Sequence, residues 1–298
     1  MRTVDDPYHE GSRAVQDRLG VRAVADRIGR SIGPGLREVT AAFLGLQPML
    51  VIGAADEAGR MWSSLLTGTP GFVRATGPRR IAVTGGPPDG DPLTTALATE
   101  GTPVGTLALD PRTRRRLRLN GAAAPTPRGF VVATEQVFAN CPKYLQRRTL
   151  RAPVPAPAGA ARRSRELTAE QQRLIRAADT FFIATAAADG AEAGHRGGYP
   201  GFVRVLSPNE LSWEDYPGNA MFLTLGNLEG DPRAGLLFVD WSTGSTLQLT
   251  GTATTVFGAA GRTLHFTVAE AVETPHASPL RWSTPEYSPA NPPVGDSA

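Results

Sequence analysis

Pro70-Gly71-Phe72-Val73-Arg74 returns unchanged as Pro200-Gly201-Phe202-Val203-Arg204, an offset of 200 − 70 = 130 residues. The same offset pairs Pro87 with Pro217, Gly105 with Gly235, Leu107 with Leu237 and Asp110 with Asp240. Farther along it pairs Thr113 with Thr243, Leu117 with Leu247, Leu119 with Leu249, Gly121 with Gly251 and Ala123 with Ala253. One ungapped offset across residues 70–123 and 200–253 marks a duplicated fold unit rather than a short-period solenoid.

Each copy reads as short strands behind helical segments. Within residues 1–48, Val15, Leu19, Val24, Ile28 and Ile32 recur at helical spacing. Met49–Ala54 is an apolar run closed by a turn at Asp56-Glu57-Ala58-Gly59. Strands are expected at Gly71–Ala75, Arg80–Val83, Val104–Leu109, Arg116–Gly121 and Gly129–Thr134. The second copy repeats the plan, with a helix capped by Thr168, an apolar run Phe181–Thr185 and a turn at Asp189-Gly190. Its strands are expected at Gly201–Leu206, Glu210–Trp213, Ala234–Val239, Thr246–Thr252 and Arg262–Thr267. Many short strands, Gly/Pro turns and few helices favour closed barrels. The boundaries follow: residues 1–150 for the first copy with its leading helices and 167–282 for the second. Residues 151–166 form a Pro/Ala linker, extended and semi-rigid, and 283–298 a Pro-rich tail expected to be disordered.

At 298 residues, 41% hydrophobic and 20% charged, the chain suits two soluble globular domains. A formal charge of +3 fits a small anion at a local site better than nucleic acid, which needs a concentrated basic face. Arg112, Arg114, Arg115, Arg116 and Arg118 fall in a hairpin-like segment. They read as a solvated turn and strand face, with an anion or partner patch as the competing reading. A single cysteine excludes an intrachain disulfide. There is no signal-peptide pattern and no apolar run near the roughly 18–20 residues of a membrane span. The expected compartment is the cytoplasm, with neither membrane nor nucleic acid as partner. Glycine-rich dinucleotide and phosphate loops and a Gly-x-Ser-x-Gly elbow are absent, and the four histidines (His9, His195, His265, His276) have no zinc-site spacing.

The chemistry-bearing residues cluster in the second copy. They begin at Gly194-His195-Arg196-Gly197-Gly198-Tyr199-Pro200 and continue with Trp213-Glu214-Asp215-Tyr216-Pro217-Gly218-Asn219. Thr224-Leu225-Gly226-Asn227-Leu228 then leads into Asp231-Pro232-Arg233-Ala234-Gly235-Leu236-Leu237-Phe238. These stretches resemble the pyridoxamine 5'-phosphate oxidase-like family of flavin-binding split barrels. Asn140-Cys141-Pro142-Lys143-Tyr144 followed by Arg147-Arg148 resembles the closing motif of its flavin-nucleotide-binding branch. The resemblance spans about residues 5–290. The Ser-Arg-Lys phosphate motif of the true oxidases would fall near Phe222-Leu223-Thr224 and is missing.

The resemblance implies a mainly β, α+β fold: two tandem split β-barrels forming an intrachain pseudo-dimer, monomeric or further dimerised. It implies FMN in a cleft between the copies and FMN-dependent oxidoreduction of a small-molecule substrate. The implied cofactor-binding residues are His195, Arg196, Gly197, Tyr216, Asn219, Thr224 and Asn227, with Lys143, Tyr144 and Arg147 reaching across from the first copy. No residue stands out as an obligatory acid or base. Some members continue after a Leu-Arg-Trp segment into a ferredoxin-reductase-like module. This chain stops soon after Leu280-Arg281-Trp282, so electrons are expected from NAD(P)H, a separate reductase or the substrate. Relatives that bind haem or a deazaflavin keep those cofactors open, with His195 as the axial candidate for haem. A non-catalytic flavin-binding module is a further reading.

The repeat offset sharpens this expectation. His195 falls at Leu65, Arg196 at Leu66, Tyr216 at Gly86, Asn219 at Asp89 and Asn227 at Leu97. A flavin phosphate needs cation and N–H donors, each charge-assisted bond contributing roughly 1.5–3 kcal/mol. Leucines supply none, so one of the two clefts is expected to hold FMN and the other to be degenerate. Bland readings stand beside this one. His195 and Arg196 make a rim turn, Asn219 and Asn227 cap turns, Cys141 is a small buried hydrophobe, and Tyr144 and Trp213 are core aromatics. Arg204 is matched by Arg74 and reads as structural.

Overall fold

A computed structural model describes residues 6–187, 190–259 and 261–294. The first half runs α1 (Glu10–Arg18), α2 (Arg22–Gly29), α3 (Glu38–Gly45), β1 (Met49–Ala55), β2 (Met61–Thr67), β3 (Val73–Gly77), β4 (Arg80–Thr84), α4 (Thr94–Leu97), β5 (Thr102–Asp110), β6 (Arg115–Thr126) and β7 (Gly129–Ala139). The second runs β8 (Arg162–Ser164), α5 (Ala169–Ala177), β9 (Thr180–Ala187), β10 (Gly190–Gly197), β11 (Val203–Ser207), β12 (Glu210–Glu214), α6 (Leu223–Gly230), β13 (Arg233–Val239), β14 (Thr246–Gly258) and β15 (Gly261–Thr274).

The duplication is realised strand for strand. One sheet has the order β2-β1-β5-β6-β7-β4-β3 and the other β10-β9-β13-β14-β15-β12-β11, with β8 added beside β15. The long strand pairs carry the same irregularity, at Asn120/Gly121 and at Thr250/Gly251. A Cβ on Gly121 or Gly251 would stand 1.9 Å from the carbonyl oxygen of Ala133 or Thr267, so only glycine fits where these strands bulge.

Each barrel has its own core, one around Trp62, Ile81 and Phe130 and the other around Phe181, Trp213 and Phe266. A third cluster forms the seam, joining Val51, Leu65 and Leu107 of the first barrel to Phe182 and Leu237 of the second. Gly105 and Gly235 occupy the same repeat position and permit this approach. A Cβ on Gly105 would lie 2.3 Å from the Glu192 carbonyl carbon, and one on Gly235 2.5 Å from the Trp62 Cα.

β2 and β10 were not expected as strands. Met61–Leu66 is buried at every position, because one face meets its own barrel and the other the neighbouring barrel. The alternation that betrays a half-exposed strand is therefore missing. Asp189, half of the expected turn, lies outside the described residues; Gly190 opens β10. The repeat offset is 130 for β2 and β10 but 131 for β1 and β9. Val51 faces Leu65 in one barrel, and Phe182 faces His195 in the other. The pairing of His195 with Leu65 and of Arg196 with Leu66 is thus a structural equivalence.

Two boundary expectations are corrected. Helix α1 leads the first copy in sequence but packs on the second barrel, where Val15 joins the core. Gln16 Nε2 donates to the Met221 carbonyl at 3.0 Å, and a Cβ on Gly11 would meet the Gly226 carbonyl oxygen at 2.1 Å. The tail expected to be disordered is ordered over residues 283–294. Ser283 N–H donates to Thr149 O at 2.9 Å and Glu286 N–H to Arg147 O at 2.8 Å. Ser288 N–H and Asn291 Nδ2 both donate to the buried Gln146 Oε1, at 2.8 and 3.1 Å. Backbone pairing and one buried amide hold a segment whose composition alone carries no such signal. The linker is extended, as its prolines dictate. It runs beside residues 275–281 through Arg151 N–H to Arg281 O, Val154 N–H to Pro279 O and Gly159 N–H to Pro275 O.

Candidate functional site

The repeat's two barrels enclose a polar cleft between them. β6 of the first barrel contributes Arg116 and Arg118, and residues 140–144 form a strap along one side. His195, Arg196 and Gly197 come from the end of β10, and residues 214–225 close the other side. The enclosed part measures about 100 Å³. Period-two geometry explains the arginines: in Arg116-Leu117-Arg118-Leu119, both leucines enter the first core and both arginines point the opposite way. The basic run is therefore not simply a solvated face, since Arg118 is 7% exposed.

Arg116 donates to His195 Nδ1 at 2.9 Å and to the Cys141 carbonyl at 2.7 Å. A guanidinium cannot accept, so Nδ1 is the acceptor and the imidazole proton sits on Nε2. That Nε2 is buried and has no hydrogen-bond partner among the described residues. Burial, followed by the charges of Arg116, Arg196 and Arg118, holds the His195 pKa well below its usual 6.5, so the ring is neutral.

The guanidiniums strain against one another. Burial and the neighbouring Arg196 push the Arg116 pKa down to about 10. Burial together with Arg116 and Arg196 lowers that of Arg118. Burial also lowers that of Arg196, with Asp215 opposing the shift and Arg262 adding to it. Their carboxylate partners are few. Glu192 binds Arg118, Asp215 divides itself between Arg196 at 3.7 Å and Arg262 at 2.9 Å, and Glu214 turns out to Arg204 at 3.7 Å. The Nε atoms of Arg116, Arg118 and Arg196 are buried without a partner. Such donors are costly to leave unmade.

The backbone adds to this. α6 starts without a side-chain cap, and its first turn, Leu223–Leu225, lines the cleft. Uncapped first-turn N–H groups favour an anion. Ala220 (φ 58°), Phe222 (φ 53°) and Tyr144 (φ 64°) all sit in the left-handed region that non-glycine residues avoid. Strained residues of this kind cluster at functional sites.

The structure gathers eight of the ten residues expected at the site. His195, Arg196, Gly197, Tyr216, Asn219, Thr224, Lys143 and Tyr144 line the cleft. Gly197 lies against the strap, where a Cβ would meet the Tyr144 carbonyl oxygen at 2.1 Å. The Tyr144 and Tyr216 rings stand 5.3 Å apart at the mouth, and the Tyr144 hydroxyl donates to Pro217 O at 2.8 Å. Asn219 also caps its own turn, its Oδ1 accepting from Met221 N–H at 3.2 Å. The Thr224 hydroxyl is already committed to Glu192 at 3.1 Å. Two expectations are corrected. Asn227 faces away from the cleft, bonded to His9 at 2.8 Å and Thr185 at 2.9 Å, because α1 docks on α6 there. Arg147 is exposed and reaches Glu286 at 3.4 Å, because the ordered tail recruits it. Cys141 is half-exposed in the cleft wall, not a core hydrophobe, whereas Trp213 is core. Arg116 and Arg118 were missed as site residues; their alternation with leucines was the available signal.

The pseudo-equivalent position lacks these cations. Thr246 and Gln248 replace Arg116 and Arg118, and Leu65 and Leu66 replace His195 and Arg196. Gln248 Nε2 is taken by Ser63 O, Ser64 Oγ and Asp91 Oδ2 at 3.1, 2.9 and 3.0 Å. Ala161 of the linker packs onto the first core beside Gly90, where a Cβ would lie 2.9 Å away.

Among the described residues, no His/Cys/Asp/Glu group could hold a metal ion, and no helix is long and apolar enough to cross a membrane. Residues 167–281 match the family model described as Pyridoxamine 5'-phosphate oxidase. The sequence matches none of the curated proteins. Among solved structures, HupZ of Group A Streptococcus is 18% identical with a TM-score of 0.29, the match covering 34% of this chain and 89% of that one. A putative pyridoxamine 5'-phosphate oxidase of Lactobacillus delbrueckii is 15% identical (TM-score 0.31; 36% and 94% covered). An FAD binding protein from Mycobacterium smegmatis is 11% identical (TM-score 0.28; 38% and 98% covered).

Proposed function

We infer that the chain, whose residues 167–281 match the family model described as Pyridoxamine 5'-phosphate oxidase, binds one FMN in its inter-barrel cleft and acts as an FMN-dependent oxidoreductase on a small molecule. The observation that carries this is the convergence of Arg116, Arg118, Arg196 and neutral His195 on one cavity, set against Thr246, Gln248, Leu66 and Leu65 at the repeated positions. A cavity of about 100 Å³ accepts a phosphate but not a whole flavin. The residues that would hold the phosphate are therefore the deep arginines and the first turn of α6, and those that would flank the ring are Tyr144 and Tyr216 at the mouth.

When bound, the flavin would supply hydride and electron transfer. The chain's residues bind and orient. Arg116 and Arg196 place positive charge, the His195 Nε2–H offers a neutral donor, and Tyr144 narrows the opening. Arg118 is anchored by Glu192, which Thr224 fixes in turn. Haem finds less support. His195 is 4% exposed, its Nδ1 faces a guanidinium, and its ring packs edge-on to Phe182 with centroids 5.8 Å apart.

The test is an absorbance spectrum of the purified protein, followed by mass identification of what heat releases. Flavin bands with FMN in a one-to-one ratio are expected. A Soret band, or a protein that stays colourless after incubation with FMN, overturns the reading.

A further inference from the structure

A second cavity, about 550 Å³, opens where Arg148, the end of α5 and the Trp241–Trp282 pair meet. It shares no lining residue with the inter-barrel cleft, and its size suits a ligand of mononucleotide scale. Its wall is aromatic. The Trp241 and Trp282 rings meet edge to face at 6.0 Å, and Tyr287, 36% exposed, stands at the rim. Its floor is a buried ion pair, Arg148 with Asp179 at 2.5 Å, the guanidinium lying 5.1 Å over the Trp241 ring. Arg148 Nε and Asp179 Oδ1 are both left without a hydrogen-bond partner. A buried pair of this kind is costly unless its remaining polar atoms are satisfied.

The rim is cationic. Arg151 and Arg173 are exposed there. Arg151 has no carboxylate partner among the described residues, and Arg173 reaches only the exposed Glu170, at 3.6 Å. The opposing carboxylate, Asp240, is held by its own turn, its Oδ1 accepting from Ser242 N–H, Ser242 Oγ and Thr243 N–H at 2.8, 2.6 and 3.2 Å. Aromatic faces beneath the exposed guanidiniums of Arg151 and Arg173 suit a flat ring that carries negative charge.

We propose that this cavity is a second ligand site, for a planar aromatic molecule bearing a phosphate or carboxylate, with the ring against Trp241 and the anion at Arg151 and Arg173. The test is titration calorimetry of the full chain, backed by tryptophan quenching. The probes are AMP and 2-naphthoate, with adenosine and 2-naphthylmethanol as uncharged counterparts. Saturable binding of AMP, of naphthoate or of both supports the site, and the responding probe tells a nucleotide from an aromatic acid. The uncharged counterpart should bind about tenfold more weakly or worse, the loss of one charge-assisted contact. Arg151→Glu should weaken binding similarly without moving the melting temperature, because the residue is exposed. Trp241→Phe, which keeps an aromatic wall, should remove most of the quenching. The proposal fails if neither probe saturates, if Arg151→Glu leaves the affinity unchanged, or if the quenching persists in Trp241→Phe.

Discussion

Arg116→Met separates affinity from stability within one side chain. In the cleft, Arg116 has no carboxylate of its own, and its pKa falls from 12.5 to about 10. At about 1.4 kcal/mol per pH unit, keeping it charged costs the folded protein about 3 kcal/mol. The substitution gives up two charge-assisted bonds, to His195 and Cys141 O, each contributing ~1.5–3 kcal/mol, and the relief of charge offsets half of that loss or more. The ligand-free variant should therefore lose no more than about 3 kcal/mol in urea unfolding. Flavin binding should fall in addition. One charge-assisted contact to phosphate, about 1.5–3 kcal/mol, is a loss of roughly 10- to 150-fold in affinity. Fluorescence titration with FMN measures it, and riboflavin, which lacks the phosphate, provides the internal control: its affinity should not change. Arg118 is a poorer choice for this test, because its loss strands buried Glu192 and confounds binding with folding. Equal FMN affinity for variant and wild type, or an equal loss for FMN and riboflavin, would refute the phosphate role.

Arg196→Ala should weaken FMN binding about tenfold or more by the same contact strength, whereas Leu66→Ala should leave a stoichiometry of one flavin per chain; equilibrium dialysis reads both, and two flavins per chain would sink the single-cleft reading. His195 is buried neutral with its pKa held below 6.5, so the unfolded chain takes up a proton that the folded one refuses. Its contribution to stability is complete above about pH 6.5 and is lost below it at up to about 1.4 kcal/mol per pH unit. Urea midpoints between pH 7 and pH 5 should therefore fall less steeply in His195→Gln, and parallel slopes would contradict this. Gly105→Ala drives a methyl into the Glu192 backbone across the seam and should cost about 1–3 kcal/mol, while Gly230→Ala, with nothing within 4 Å of its Cβ position, should be near neutral in thermal melts.

The sequence by itself determined the repeated unit, the barrel strands between residues 71 and 134 and their second copies, and the contrast of His195 and Arg196 with Leu65 and Leu66. Those features are written locally, as identity at a fixed offset and as alternation along single strands. Tertiary structure alone decided which faces of the two barrels meet. That contact hid β2 and β10 by burying both their faces, and it turned Arg116 and Arg118 of the first barrel onto His195 and Glu192 of the second. It also moved α1 onto the second barrel, drew Asn227 and Arg147 out of the site, and ordered the tail against Gln146. Each of these depends on chain segments that approach only after both barrels have closed. No local pattern records such an approach, because its free energy comes from desolvation and hydrogen bonds between residues far apart in sequence.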